Sequence, residues 1–166
     1  MLAAKLPARH HWQMQQNYSD FLAVEITAVQ LDAWADLLPV PCRVLGSNLF
    51  GDVFLADAGG AIHMLEVAAA SIAEIAASEE EFHQRCVDDA DGWLLRPLVD
   101  RCRSAGMVLS STQCYAFTTL PLFGGEYKVD NIWICAWTEW LSFTATIYAQ
   151  TKDLPDGSTV AIKFVD

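Results

Sequence analysis

The tetrad Asp57-Ala58-Gly59-Gly60 constrains this chain more than any other feature, because it breaks one apolar stretch into two pieces that must run back on each other. Asp52 to Leu55 lies before the break and Ala61 to Val67 after it. Both are short extended runs bounded by turn residues, the pattern of a β-hairpin. Arg43 to Leu45 leads through Gly46-Ser47-Asn48 into Leu49-Phe50 and joins the same antiparallel meander.

Helical signals flank the meander. Gln30 to Leu38 predicts a short amphipathic helix with Leu31, Trp34, Leu37 and Leu38 on one side, ended by Pro39 and Pro41. Ser78 and Glu81 fit a capping box, and Glu79, Glu80 and Glu81 sit where a helix N-terminus favours negative charge. Phe82 and Cys86 then share one face. Asp91 marks a second start, followed by the apolar stripe Leu94, Leu95, Leu98, Val99 and Cys102, which Gly106 closes. Gln113 to Thr118 and Ile132 to Trp137 are aromatic and β-branched, hence strands, separated by a wide turn holding Pro121, Gly124-Gly125 and Asp130-Asn131. Thr138 is placed to cap a helix from Glu139 to about Thr151, and Thr159 to Phe164 reads as a last strand. The expected fold class is α+β, an antiparallel sheet with helices packed mainly on one face. Residues 1–20 read as an irregular arm and 21–166 as a single α+β domain, a length suited to one core.

Composition narrows the function classes. Apolar residues make up 53% and charged ones 19%, enough to offset chain entropy and exclude a disordered chain. The most apolar stretch, Met64 to Ala77, is interrupted by Glu66 and Glu74 and falls short of a membrane span. Met1 to Gln16 lacks the continuous apolar run of a signal peptide, so a cytoplasmic location is expected. Five cysteines (Cys42, Cys86, Cys102, Cys114, Cys135) form no CxxC pair and sit among apolar neighbours, as small core hydrophobes do.

The candidate chemistries fail one by one. Asp88-Asp89-Ala90-Asp91-Gly92 resembles a calcium loop, but with Gly92 at position 6, positions 1 and 12 are Val87 and Leu98, and both carboxylates are missing. Helix capping explains the cluster better. Glu79, His83 and Cys86 could share a helix face, yet no fourth zinc ligand follows. His63 reads as a surface or half-buried imidazole, and His10-His11 lies in the arm. There is no GxSxG, P-loop or GxGxxG, so no catalytic residue, metal or cofactor is assigned. The ten bases are dispersed, against nucleic-acid binding.

The acidic run remains. Net charge is −11, and between Glu79 and Asp91 six acids stand against Arg85 alone. Such a surface repels nucleic acid and anionic membrane and draws cationic partners. Glu79, Glu80, Glu81, Asp88 and Asp89 are therefore the candidate partner-binding residues. Two alternatives stay open: a ligand-sensing or housekeeping interaction domain with an aromatic pocket near Trp133, Trp137 or Tyr115, and a small hydrolase with carboxylates converging in a cleft.

Seven phrases in order carry a family resemblance: Leu49-Phe50-Gly51-Asp52-Val53-Phe54, Asp91-Gly92-Trp93-Leu94-Leu95, Gln113-Cys114-Tyr115-Ala116-Phe117, Gly124-Gly125-Glu126-Tyr127, Asp130-Asn131-Ile132, Glu139-Trp140-Leu141-Ser142-Phe143 and Lys152-Asp153-Leu154-Pro155-Asp156-Gly157. Over roughly 46–165 the chain resembles the C-terminal domain of the Tdi-type immunity proteins of type VI secretion systems. The GAD-like N-terminal domain of longer relatives is largely absent, with Asp20 to Leu38 at most a remnant. The resemblance implies a protein that binds a cognate effector toxin, often a nuclease, and blocks it. A nuclease holds a polyanion in a basic cleft, so the expected partner is basic-surfaced. The phrases read as turns, caps and core positions, so none of them transfers as a toxin contact.

Overall fold

Asp57 shapes the reversal that its two following glycines permit. In this computed structural model, which describes residues 20–161, its Oδ1 accepts from the Gly59 and Ala61 N–H groups at 2.8 and 3.0 Å. Gly60 follows at φ +91°, where a side chain would be strained. The turn joins β2 (Val53–Asp57) to β3 (Ile62–Glu66) in the register Val53↔Leu65, Phe54↔Met64, Leu55↔His63. With β1 (Cys42–Ser47) and β4 (Ser71–Ala76) they form a four-stranded antiparallel meander in sequential order. β4 has no sequence-based counterpart: it follows Ala70 at φ +54° and pairs along β3, although Ala73 and Glu74 face solvent.

Period-two alternation sends the two faces of the meander into different cores. Val53, Leu55, Leu65 and Val67 join one cluster with Leu98, Val99, Cys102, Trp137 and Trp140. Phe54, Ala56, Ile62 and Met64 join the other with Phe82, Cys86 and Leu94. Two of the three α-helices among the described residues, α2 (Arg96–Ser104) and α3 (Trp137–Thr151), thus supply the first face, while α1 (Glu79–Cys86) covers the second. The α+β expectation holds. The strands divide into two sheets, because β5 (Gln113–Phe117) and β6 (Ile132–Ala136) pair with each other apart from the meander.

α3 buries Trp137, Trp140, Leu141, Thr144, Ile147 and Tyr148, a stripe of three- and four-residue steps, against β5, β6 and the 3₁₀ turn Ala28–Trp34. Trp34 stacks on Tyr148 at 6.4 Å. That turn begins before Gln30 and ends at Trp34 rather than Leu38; the Gln30 side chain accepts from the Thr27 N–H at 2.9 Å and sets its start.

Three further boundaries differ from expectation. α2 starts at Arg96, because Leu95 at φ +52° breaks the helical path before it, and Asp89 rather than Asp91 reaches its N-terminus, accepting from the Leu94 and Arg96 N–H groups at 2.9 and 3.2 Å. α3 starts at Trp137 without a side-chain cap, which leaves Thr138 on the exposed side of its first turn. Thr159 to Ala161 are not in a strand, and the rest of that expected strand lies outside the described residues. Residues 1–19 of the expected arm, with His10-His11, also lie outside them. Among the described residues no helix is long and apolar enough to cross a membrane.

Candidate interaction site

The acidic segment folds as the sequence signals suggest, and the fold itself then engages most of its carboxylates. Ser78 Oγ accepts from the Glu81 N–H at 3.2 Å, and Glu81 Oε2 accepts from the Ala77 N–H at 2.8 Å. Phe82 packs on Phe54 with ring centroids 4.9 Å apart. Glu79 is bound by Arg43. Arg85 pairs with Glu81 at 3.1 Å and with Asp91 at 2.7 Å, and lies 4.6 Å from the centre of the Trp93 ring. The Arg85 guanidinium holds the Asp91 carboxyl below its usual range. Asp88 accepts from the Ala90 N–H at 3.1 Å, and Asp89 caps α2. Arg96 donates to the Cys86 and Val87 carbonyls that end α1 and pairs with buried Asp20 at 3.0 Å. Of the five candidate residues, Glu80 and Asp88 are exposed, while Glu79, Glu81 and Asp89 are half-buried and tie the segment together.

The phrase Leu49-Phe50-Gly51-Asp52 belongs to a buried polar junction. Asn48 is fully buried: its Oδ1 accepts from the Phe50 and Asp52 N–H groups, and its Nδ2 donates to Asp52 Oδ2 at 3.0 Å and to the Trp93 carbonyl at 2.9 Å. Asp52 Oδ1 accepts from the Val67 N–H at 3.1 Å. Trp140 Nε1–H donates to the Phe50 carbonyl at 3.0 Å, and the Tyr115 N–H to that of Leu49 at 2.8 Å. Gly51 sits at φ +86°, and a Cβ there would lie 2.9 Å from Trp140 Cδ1. One turn thereby joins the meander to β5, α3 and the segment before α2.

Above this junction opens a cleft of about 340 Å³ lined by Asp52, Met64, Glu66, Asp91, Trp93, Leu95 and Tyr127. Burial pushes the Asp52 carboxyl up to about 7, against the pull of its Asn48 hydrogen bond. The Tyr127 hydroxyl is raised to about 12 by burial, with the Asp52 and Glu66 charges adding to the shift. Three carboxylates and a phenol converge here, but each carboxylate already has work in the fold: Asp52 holds Val67 and Asn48, Glu66 accepts from Ser71 Oγ at 3.0 Å, and Asp91 is clamped by Arg85. The cleft favours a cationic or hydrogen-bond-donating group, and its lining residues include no Ser, Cys or Lys nucleophile. A second groove, about 510 Å³, is lined by Phe21, Leu22, Leu49, Val108, Leu109 and Tyr115 among others. Of the three aromatics considered for a pocket, only Tyr115 lines it; Trp137 is core and Trp133 is 46% exposed.

The loop between β5 and β6 carries exposed apolar side chains that periodicity does not reveal: Leu122, Phe123 and Tyr127. It is held rigidly. Asn131 Nδ2 donates to the Thr119 and Glu126 carbonyls at 2.9 Å, and its Oδ1 accepts from the Thr119 N–H at 2.8 Å. At Gly125 a Cβ would meet the Thr119 carbonyl oxygen at 1.8 Å. The Gly124-Gly125 and Asp130-Asn131 pairs mark the turn in the sequence, but nothing local marks which residues it presents.

The weighed metal ligands do not come together. Cys86 faces the core, its thiol pushed up to about 12 by burial, while His83 is exposed. His63 pairs with Asp57 at 3.0 Å. Among the described residues no three His, Cys, Asp or Glu side chains are grouped to hold an ion. All five cysteines are free thiols, four of them buried.

Residues 76–148, from the end of β4 through most of α3, match the family described as T6SS immunity protein Tdi1, C-terminal. This is the family recognised from the ordered phrases; the matched span contains those from Asp91 to Phe143, and the Leu49 and Lys152 phrases fall outside it. No curated protein matches the chain. Among solved structures, the crystal structure of Atu4351 from Agrobacterium tumefaciens is similar at 18% identity and a TM-score of 0.48, over 71% of this chain and 60% of that one. The chain thus spans less than two thirds of that protein's length.

Proposed function

We propose that this chain, with the Tdi1 C-terminal family matched over residues 76–148, is a non-catalytic immunity protein that binds and neutralises a cognate type VI secretion effector. That match carries the reading. The effector is a nucleic-acid-cleaving toxin with a basic working face, met in the cytosol of the producing cell. The support for this finer statement is electrostatic: a protein of net charge −11 is attracted to the same cationic cleft that holds a polyanion. Inhibition is by covering that face, and residues 21–166 act as one α+β unit. Within the acidic segment Glu80 and Asp88 face the partner, while Glu79, Glu81 and Asp89 keep the scaffold that presents them.

The test is to produce the chain with the toxin encoded beside its gene. A stable complex at low salt and restored growth on co-expression are expected; no complex and no rescue would refute the reading. An inactivated toxin that still binds separates occlusion from enzymatic detoxification, because occlusion leaves the toxin chemically unchanged on mass spectrometry.

A further inference from the structure

The ladder between β5 and β6 has a parity that turns one edge of β6 away from β5. The Thr118 N–H donates to the Asn131 carbonyl at 2.8 Å, and the Trp137 N–H to that of Thr112 at 2.9 Å. Between them run the pairs Ala116↔Trp133 and Cys114↔Cys135. Bonded and non-bonded residues alternate along an antiparallel pair. Trp133 and Cys135 therefore aim their main-chain groups at β5 and Ile134 aims its own away, while the Ile132 N–H, on the same side as that of Ile134, already donates to the Val129 carbonyl. β5 is occupied on its other side by Leu49 through the Tyr115 N–H. Among the described residues β6 pairs with β5 alone.

Exposed strand edges are normally blunted by lysine, proline or a bulge. β6 reads Ile-Trp-Ile-Cys-Ala, with no charge, no proline and no break in register. Trp133, 46% exposed, stands beside the open edge. An edge of this kind accepts an added strand, whose main-chain bonds supply affinity and whose alternate side chains supply selectivity.

We propose that the open edge of β6 receives an extended segment of the effector as a third strand of the β5–β6 sheet. This rests on the effector-neutralising reading above. Charge decides the occupant. Exposed Asp130 and Glu139 bracket the strand, while nearby Lys128 is paired with Glu126 at 2.8 Å. A second copy joined antiparallel about Ile134 would set Asp130 beside the other copy's Glu139 at both ends, in molecules of −11 each. An apolar strand flanked by lysine or arginine meets the same anions favourably. Trp133 covers the added strand from one face.

Ile134→Pro tests the edge, because the N–H it removes points away from β5 and the β5–β6 bonds stay in place, although the Ile134 side chain's packing on the core is lost as well; proline is tolerated at such edge positions. The probe is the inactivated toxin encoded beside the gene. Wild type should bind it, with the Ile134 amide gaining protection from hydrogen exchange in the complex. The Ile134→Pro variant should bind about tenfold to a hundredfold more weakly, with an unchanged circular dichroism spectrum. Equal affinity of the folded variant, or no added protection at Ile134 in a wild-type complex, overturns the docking edge while leaving the immunity reading intact. If the variant unfolds, the wild-type exchange pattern decides alone. Absence of any wild-type complex overturns the immunity reading and the docking edge with it.

Discussion

Asp52 is asked to be both a main-chain anchor and a buried acid, and the two demands respond oppositely to its charge. The carboxylate form accepts more strongly from Asn48 and Val67, but burial penalises it, and burial wins: the folded group titrates at about 7. In the unfolded chain an aspartate titrates near ~3.9. Between these values the folded state keeps a proton that the unfolded state has released, so stability declines as pH rises through this window and levels off above 7. The full difference is on the order of 4 kcal/mol, an upper figure for one group. Urea unfolding at pH 5 and pH 8 should show the loss, and Asp52→Asn should flatten it. A slope unchanged in Asp52→Asn would assign the pH dependence elsewhere. Asp57 and Asp91 do not blur the experiment. Both are held below the usual carboxylate range, Asp57 by its His63 bond and Asp91 by Arg85, so their contributions disappear only as pH falls below that range.

At the scale of elements, α1 shows what a local signal can determine. An eight-residue helix has little intrinsic stability, so its N-cap matters. Ser78→Ala removes the acceptor for the Glu81 N–H and should cost about 1 kcal/mol, seen as a lower urea midpoint and faster amide exchange in α1 before the rest of the fold. A midpoint equal to wild type would mean that Phe82 packing alone holds the helix. The Ser78 cap, the Asp57-Gly60 turn and strands β5 and β6 were legible because residues within a few positions of each other produce them. β4 was not: Ser71 to Ala76 is a strand because β3 offers it a ladder, and its own pattern is weak. The α2 start was displaced for a related reason, since choosing Asp89 over Asp91 depends on Arg85 already holding Asp91. The cleft was the least legible feature. Its walls come from β3, the segment before α2 and the loop after β5, and no spacing in the chain announces that Glu66, Trp93 and Tyr127 meet.

For the whole molecule, the question is how much of the −11 charge is free to act at a distance. Reversing every acid of the segment would not answer it. Glu79, Glu81 and Asp89 hold Arg43, Arg85 with the Ala77 N–H, and the α2 N-terminus, so changing them confuses lost field with lost structure. Glu80 and Asp88 are exposed, and neither holds another element in place. Glu80→Lys with Asp88→Lys changes the net charge by two at each site, from −11 to −7, and costs the scaffold only the Asp88 bond to the Ala90 N–H and one favourable charge in the first turn of α1. Steering acts on encounter and contact on escape, so the double variant should associate with the toxin about tenfold more slowly at low salt, at a nearly unchanged dissociation rate. The gap should close near 1 M salt, where the screening length falls to about 3 Å. Stopped-flow mixing across a salt series separates the two rates. Equal association rates at low salt would remove this segment from the encounter and leave the remaining anions, with the β6 edge, to account for recognition.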